Sequence, residues 1–226
     1  MKTKEKLSDN HKIHQKYISP ITGIEYPGGS TIAGLLDKGF GMVVSAVNLT
    51  KKGYDYKKIW DEKREAGTLV HKLIESYLRG EKFDTKDFTQ GMIDRAESSF
   101  LKFLEWEKKH KIEGKLCEKQ MISEIMKAGG TVDMIAEIDG KITLVDYKSG
   151  GLYDSSYCQA SGYNLIAIEN NIHIDRVMLL HIPQNEDEKD VKDKYLTRSQ
   201  VLYWGLIFQD LCKIYWNKQK LKEEEK

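Results

Sequence analysis

The chain has 226 residues, 40% of them hydrophobic and 31% charged, with three prolines; this balance suits a soluble, single-domain protein with its own core and excludes a disordered or fibrous chain. Its 36 basic and 35 acidic residues leave a formal charge of +1, so a surface for a polyanion has to be built locally, from runs such as Lys2 to Lys16, Lys51 to Lys58 or Lys108 to Lys111. The three cysteines, Cys117, Cys158 and Cys212, are scattered and make neither a disulfide framework nor the four-thiolate set of an iron-sulfur cluster. A polar, lysine-rich start and the lack of any run of about 18 apolar residues point to an intracellular, cytoplasmic protein with no membrane partner.

In chain order, residues 1–20 are polar and mixed and read as a loose lead-in. Tyr26-Pro27-Gly28-Gly29-Ser30 is a turn signal before a short apolar stretch, Thr31 to Leu36. From Asp55 to Leu78 the spacing is helical, with Val70, Leu73, Ile74, Tyr77 and Leu78 on one stripe and Gly80 as a stop. A second amphipathic helix spans about Thr89 to His110, burying Met92, Ala96, Phe100, Phe103 and Leu104. Residues 115–127 turn strand-like, Gly129-Gly130 reads as a break, and apolar runs follow at Thr131 to Ile138 and Lys141 to Lys148. A helix opens at Asp154 or Ser155 and runs to about Asn170, Ile174 to Ile182 is a strand, and Gln184 to Lys194 reads as a loop. Gln200 to about Gln219 is a last helix carrying Leu202, Leu206, Leu211, Tyr215 and Trp216, and residues 218–226 are expected to fray.

Asp139-Gly140 between two apolar runs is a strong hairpin signal. A two-residue turn, or a four-residue loop from Ile138 to Lys141, sets Asp133 directly opposite Asp146, whereas a three-residue bulged loop shifts the pairing by one. Side chains alternate along a strand, so Lys148 shares the face of Asp146. Two acids opposed in an apolar hairpin repel each other, and a hard divalent cation relieves that cost while keeping waters for a phosphate substrate. An ordinary Asp146–Lys148 ion pair at a strand end is the competing explanation.

The residues around these three carry a resemblance. Gly-Gly-Thr-Val-Asp133, followed by Leu-Val-Asp146-Tyr-Lys148-Ser-Gly, resembles the active-site hairpin of RecB-like nucleases in the PD-(D/E)XK superfamily. Ala66-Gly67-Thr68-Leu69-Val70-His71 is similar to the upstream helix that gives such nucleases a metal-binding histidine. Glu118 falls on the strand where they carry another acid, and Gln159-Ala-Ser-Gly-Tyr163 fits their Gln-X-X-X-Tyr motif. Ser30-Thr31-Ile32 adds a likeness to phage and mitochondrial exonuclease-like members, and the whole covers roughly residues 27–183.

The resemblance implies an α/β, restriction-endonuclease-like core, a central mixed sheet of about four strands flanked by helices, in the order helix, three-stranded meander, helix, strand. It also implies a metal-dependent DNA nuclease, of exonuclease type, serving DNA repair, recombination or phage DNA processing, with DNA and other repair or replication proteins as partners. Asp133, Asp146 and Lys148 are then catalytic. His71, Asp133, Asp146, Glu118 and the Tyr147 carbonyl are the ligands for Mg²⁺ or Mn²⁺, with imidazole favouring manganese and no iron-sulfur cluster expected. Gln159 and Tyr163, four apart on one helical face, hold a DNA phosphate or the lysine. Glu75 either supports His71 or pairs with Lys72 or Arg79, Glu124 is the lesser substitute for Glu118, and His173 and His181, with no acid partner in sequence, read as structural. A non-cutting module that grips DNA ends or single strands in a repair complex is the alternative.

Overall fold

The computed structural model describes residues 16–37, 39–184, 187, 188 and 190–225, so the basic run that starts at Lys2 lies outside them up to Lys16. Tyr17–Ile18 (β1) and Glu25–Tyr26 (β2) pair as a short antiparallel hairpin, so the last residues of the expected loose lead-in are ordered, while its residues 1–15 lie outside those described. Gly29–Ala33 (α1) continues into a 3₁₀ turn, Gly34–Leu36. Phe40–Lys51 (α2) then forms a helix that no periodicity announces. It is apolar over much of its surface, with Met42, Val43, Val44 and Val47 exposed.

Tyr56–Arg79 (α3) follows the predicted stripe at Val70, Leu73, Ile74 and Leu78, while Tyr77 is exposed. Its first turn is capped by Asp55, whose carboxylate accepts from the Lys57 and Lys58 N–H groups, and Gly80 ends it at φ 70°, the left-handed conformation that glycine adopts without a Cβ penalty. Gln90–Glu107 (α4) packs beside it.

Ile112–Ser123 (β3), Ala128–Ile138 (β4) and Lys141–Lys148 (β5) form an antiparallel meander. Asp154–Glu169 (α5) crosses over to Arg176–His181 (β6), which lies parallel to β5. Lys192–Tyr195 (β7) adds an antiparallel edge strand, and Arg198–Glu224 (α6) closes the described chain. The sheet has five strands in the order β3-β4-β5-β6-β7, one more than expected, because β7 occupies the end of the stretch read as a loop. That edge strand is polar and mostly exposed, which hides it from a search for apolar runs.

One face of the sheet packs on α1, α5 and α6 through Leu144, Val177, Leu179, Ile166 and Phe208. The other packs on α3 and α4 through Val145, Met178, Leu180, Leu69 and Phe103. This is an α/β fold with a mixed sheet covered on both sides, the restriction-endonuclease-like core that the resemblance implies. Among the described residues no single helix is long and apolar enough to cross a membrane.

Two local readings are corrected. Gly129-Gly130 is no break but part of β4; the β3–β4 turn occupies 124–127. A Cβ on Gly129 would sit 2.1 Å from the Tyr17 ring, and one on Gly130 2.4 Å from the Tyr163 ring, so these glycines serve close approach. Helix α6 stays helical to Glu224, with no fraying at 218, and Leu202 and Leu206 point outward while Val201, Trp204, Phe208, Leu211 and Cys212 face the core. Helix α5 opens at Asp154, as expected, with Tyr153 as its cap residue.

The α5–α6 seam is tight at Gly162, where a Cβ would lie 2.5 Å from the Phe208 ring. Gly162→Ala is expected to destabilise by about 1–3 kcal/mol through overpacking, whereas Gly91→Ala, with nothing within 4 Å, should be neutral or gain up to about 1 kcal/mol of helix propensity. Urea unfolding of the two variants checks this; equal midpoints would mean that the seam yields freely.

Candidate active site

The site forms where β4 and β5 part. Asp139 and Gly140 take φ of 51° and 76°, the positive pair that a type I′ turn needs, and the ladder runs from Ile138↔Lys141 to Met134↔Val145. The next rung would set Asp133 against Asp146, as the two-residue turn predicts. There the ladder stops, and the Tyr147 N–H donates instead to Asp133 Oδ2 at 2.6 Å. The other oxygen, Oδ1, lies 3.1 Å from His71 Nδ1. Asp133 is therefore satisfied on both oxygens, which corrects the picture of two acids simply repelling each other.

His71 reaches Asp133 because α3 comes close to the end of β5. One turn before it, a Cβ on Gly67 would meet Ser149 Oγ at 2.6 Å and Gln184 Nε2 at 3.2 Å. The Tyr147 ring stands edge-on to the imidazole, centroids 5.5 Å apart. Glu118 sits on β3 between the pairs Cys117↔Met134 and Lys119↔Val132, hence across from Asp133, at a φ of 48°. Ligand atoms of His71, Glu118 and Asp133 all lie within 4.8 Å of one another.

Asp146 stands outside that trio, 2% exposed. Lys148 Nζ lies 2.6 Å from its Oδ2, a short charge-assisted contact, and among the described residues that buried oxygen has no other partner. The lysine also donates to Gln159 Oε1 at 3.3 Å, and Gln159 Nε2 donates to the Tyr163 hydroxyl at 2.8 Å. The Tyr163 ring is wedged against Gly29 and Gly130. Of the two tasks open to Gln159 and Tyr163, the one observed is holding the lysine.

Other sequence candidates fall elsewhere. Glu75 pairs with Arg79 at 2.9 Å and not with His71. Glu124 accepts from the Ser19 and Tyr26 hydroxyls, away from the site. His173 does have an acid partner, Asp175 at 2.9 Å, and His181 has Glu188 at 3.9 Å. The Tyr147 hydroxyl is engaged with Met134 Sδ. A groove of about 430 Å³ opens over the site, bordered by Ser30, Asp37, Arg64, Lys148, Tyr153 and Gln159. Sequence reasoning misses Arg64 and Tyr153. Arg64 was within reach, since positions 64, 67 and 71 share one face of α3; Tyr153 carries no local signal.

Burial opposes charge on every group here, and neighbours decide the outcome. Burial pushes Asp146 up to about 6, Lys148 pulling down and Asp133 pushing further up. Glu118 rises to about 7, from burial first and the Asp133 charge second. For Lys148 burial works downward but Asp146 and Asp133 outweigh it, so its pKa is raised. Burial also works against protonation of His71, and the Asp133 carboxylate overrides it upward. Asp133, despite burial, is held below the ordinary carboxylate value by His71, Lys148 and the Tyr147 N–H.

No protein-family model matches the chain, and no curated protein matches it in sequence. Solved structures do. One is a "Putative exonuclease" from Eubacterium rectale, at TM-score 0.45 and 16% identity, over 64% of this chain and 64% of that one. Another is LHK-Exo in complex with dAMP, at TM-score 0.38 and 10% identity, over 88% of this chain and 94% of that one. The chain thus spans a little under two thirds of the length of the first.

Glu118 gives the site a pH signature. With its pKa raised from 4.5 to about 7, the native state binds more protons than the unfolded chain between those values, so stability falls as pH rises through that window; Asp146, raised to about 6, acts in the same direction. Without divalent cations, the Tm is expected to drop from pH 5 to 7.5, less steeply in Glu118→Gln, and to recover at pH 7.5 when Mn²⁺ is added. Superimposable pH–Tm curves for wild type and Glu118→Gln would show that this carboxyl is not desolvated.

Proposed function

We propose that the chain is a divalent-metal-dependent deoxyribonuclease that hydrolyses phosphodiester bonds. The observation that carries this reading is the buried Asp146–Lys148 pair beside the His71, Glu118 and Asp133 trio, with His71 and Lys148 reaching an open groove. The donor set fits Mg²⁺ or Mn²⁺: carboxylate oxygens with one imidazole, within 4.8 Å of one another, next to a buried Asp146 oxygen with spare acceptor capacity. Asp133, Glu118, His71 and Asp146 would hold the ion, with the Tyr147 carbonyl as a further candidate ligand. A divalent cation there supplies positive charge that acidifies a water and neutralises charge on the scissile phosphate.

The chain's own residues supply the rest. Lys148, kept charged by Asp146 and Asp133 and held by Gln159, orients the attacking water and stabilises negative charge as it builds on the phosphate oxygens. The water gives up a proton to solvent as its oxygen bonds to phosphorus, the bond to the departing sugar oxygen breaks, and that oxygen takes up a proton from solvent. The exonuclease mode and a place in DNA repair, recombination or phage DNA processing alongside other proteins of those pathways rest on the motif resemblance, and a cytoplasmic location on composition.

Asp146→Asn and Lys148→Ala are each expected to lower Mn²⁺- or Mg²⁺-dependent cleavage of linear DNA by at least about 100-fold with circular dichroism unchanged. Cleavage at wild-type rates by either variant would overturn the assignment. His71→Ala should weaken Mn²⁺ binding more than Mg²⁺ binding, since imidazole matters more to the softer ion. Calorimetric titration reads the difference, and an equal loss for both ions would remove His71 from the ligand set.

A further inference from the structure

Tyr153 is an exposed aromatic at the mouth of the groove that the mechanism does not use. It is 66% exposed, and among the described residues its ring pairs with no other ring and its hydroxyl makes no hydrogen bond. Its backbone, by contrast, is anchored. The Tyr153 N–H donates to Ser156 Oγ at 3.3 Å, and its carbonyl accepts from the Ser156 N–H at 2.8 Å. The side chain leans over Gly151, where a Cβ would lie 3.0 Å from the hydroxyl. Scattered exposed aromatics are ordinary on protein surfaces; this one stands on a fixed cap, borders the same groove as Lys148 and Gln159, and is five positions from the lysine in sequence.

The groove itself limits what can lie there. Its volume, about 430 Å³, is in the range that takes one small ligand, room for a nucleotide or two and not for a double helix. Apart from His71, its bordering cations are Arg64 and Lys148, with Asp37 opposing them, enough for one or two phosphates but not for the long basic stripe that tracks a duplex. A free aromatic face beside a narrow, sparsely charged groove matches single-strand binding, where bases stack on aromatic side chains whatever their sequence.

We propose that the groove admits a single nucleic-acid strand, and that Tyr153 positions it by stacking on a base next to the scissile phosphate. This rests on the nuclease reading, but it is tested by binding. The probe is a fluorescent single-stranded DNA oligonucleotide, read by anisotropy in Ca²⁺, against a blunt duplex of the same sequence. Wild type should favour the single strand. Tyr153→Ala should weaken single-strand binding by about 5- to 100-fold, the range of one base-on-aromatic stack, while Tyr153→Phe and Tyr153→Trp retain it. Oligonucleotides carrying one abasic site, moved along the strand, should reveal a position where base removal weakens wild type but adds nothing to Tyr153→Ala.

Wild-type affinity in Tyr153→Ala, abasic losses that are the same in both proteins, or a blunt duplex bound as tightly as the single strand would each overturn the proposal. An unchanged Tm in Tyr153→Ala keeps a binding loss from being a folding loss. Failure of the nuclease reading would appear separately, as wild type that binds DNA but leaves it uncut in Mn²⁺.

Discussion

Asp133 takes the place of a rung in the β4–β5 ladder. Where the strands part, its carboxylate accepts the Tyr147 N–H that the ladder would have used and meets the His71 imidazole on its other oxygen. A backbone donor left unpaired at that depth would cost about 1–3 kcal/mol, so the side chain is what lets the sheet open without loss. The opening leaves Asp133 facing a space shared with mid-β3 and the end of β5. Glu118 borders it from β3 and Lys148 from the end of β5, past the last rung Met134↔Val145.

The lysine is fixed by a second chain of contacts that begins in packing. Tyr163 is clamped by two positions where only glycine fits, Gly29 and Gly130, and its hydroxyl holds Gln159, which holds Lys148. A long, flexible side chain is thereby tied to the core of the α5 face. The α3 face contributes in the same manner: Gly67 lets the helix touch Ser149, which brings His71 within reach of Asp133. Each half of the site is thus set by a glycine contact on a different face of one sheet.

Much of this was legible in the residues themselves. The Asp139-Gly140 turn fixed the register, and the register aligned Asp133 with Asp146 on the rung where the ladder stops; the helical stripe of α3 was plain from Val70, Leu73 and Ile74. What periodicity missed has physical causes. Helix α2 is apolar nearly all round and shows no stripe, while β7 is polar and shows no run. Tyr153 and Arg64 join the groove through tertiary approach alone. Gly129-Gly130 misled because a glycine pair signals a turn and a close approach equally well, and only Tyr17 and Tyr163, distant in sequence, decide between them.

The electrostatics of the site follow from the same geometry and explain why a cation suits it. Three carboxylates face one lysine and one imidazole in a space largely shut off from water, and the mismatch is absorbed by protons: Glu118 sits at about 7 and Asp146 at about 6. Asp133 stays low because its two donors are fixed by the strand opening and by α3. A divalent ion would replace those protons with a charge that does not leave at neutral pH. Such an ion and the protons compete for the same oxygens, so the groups that burial makes hardest to ionise are also those with most to gain from it. Lys148 occupies only one acceptor position of Asp146 Oδ2, which has no other partner among the described residues, so that acid could face the lysine and the proposed ion together.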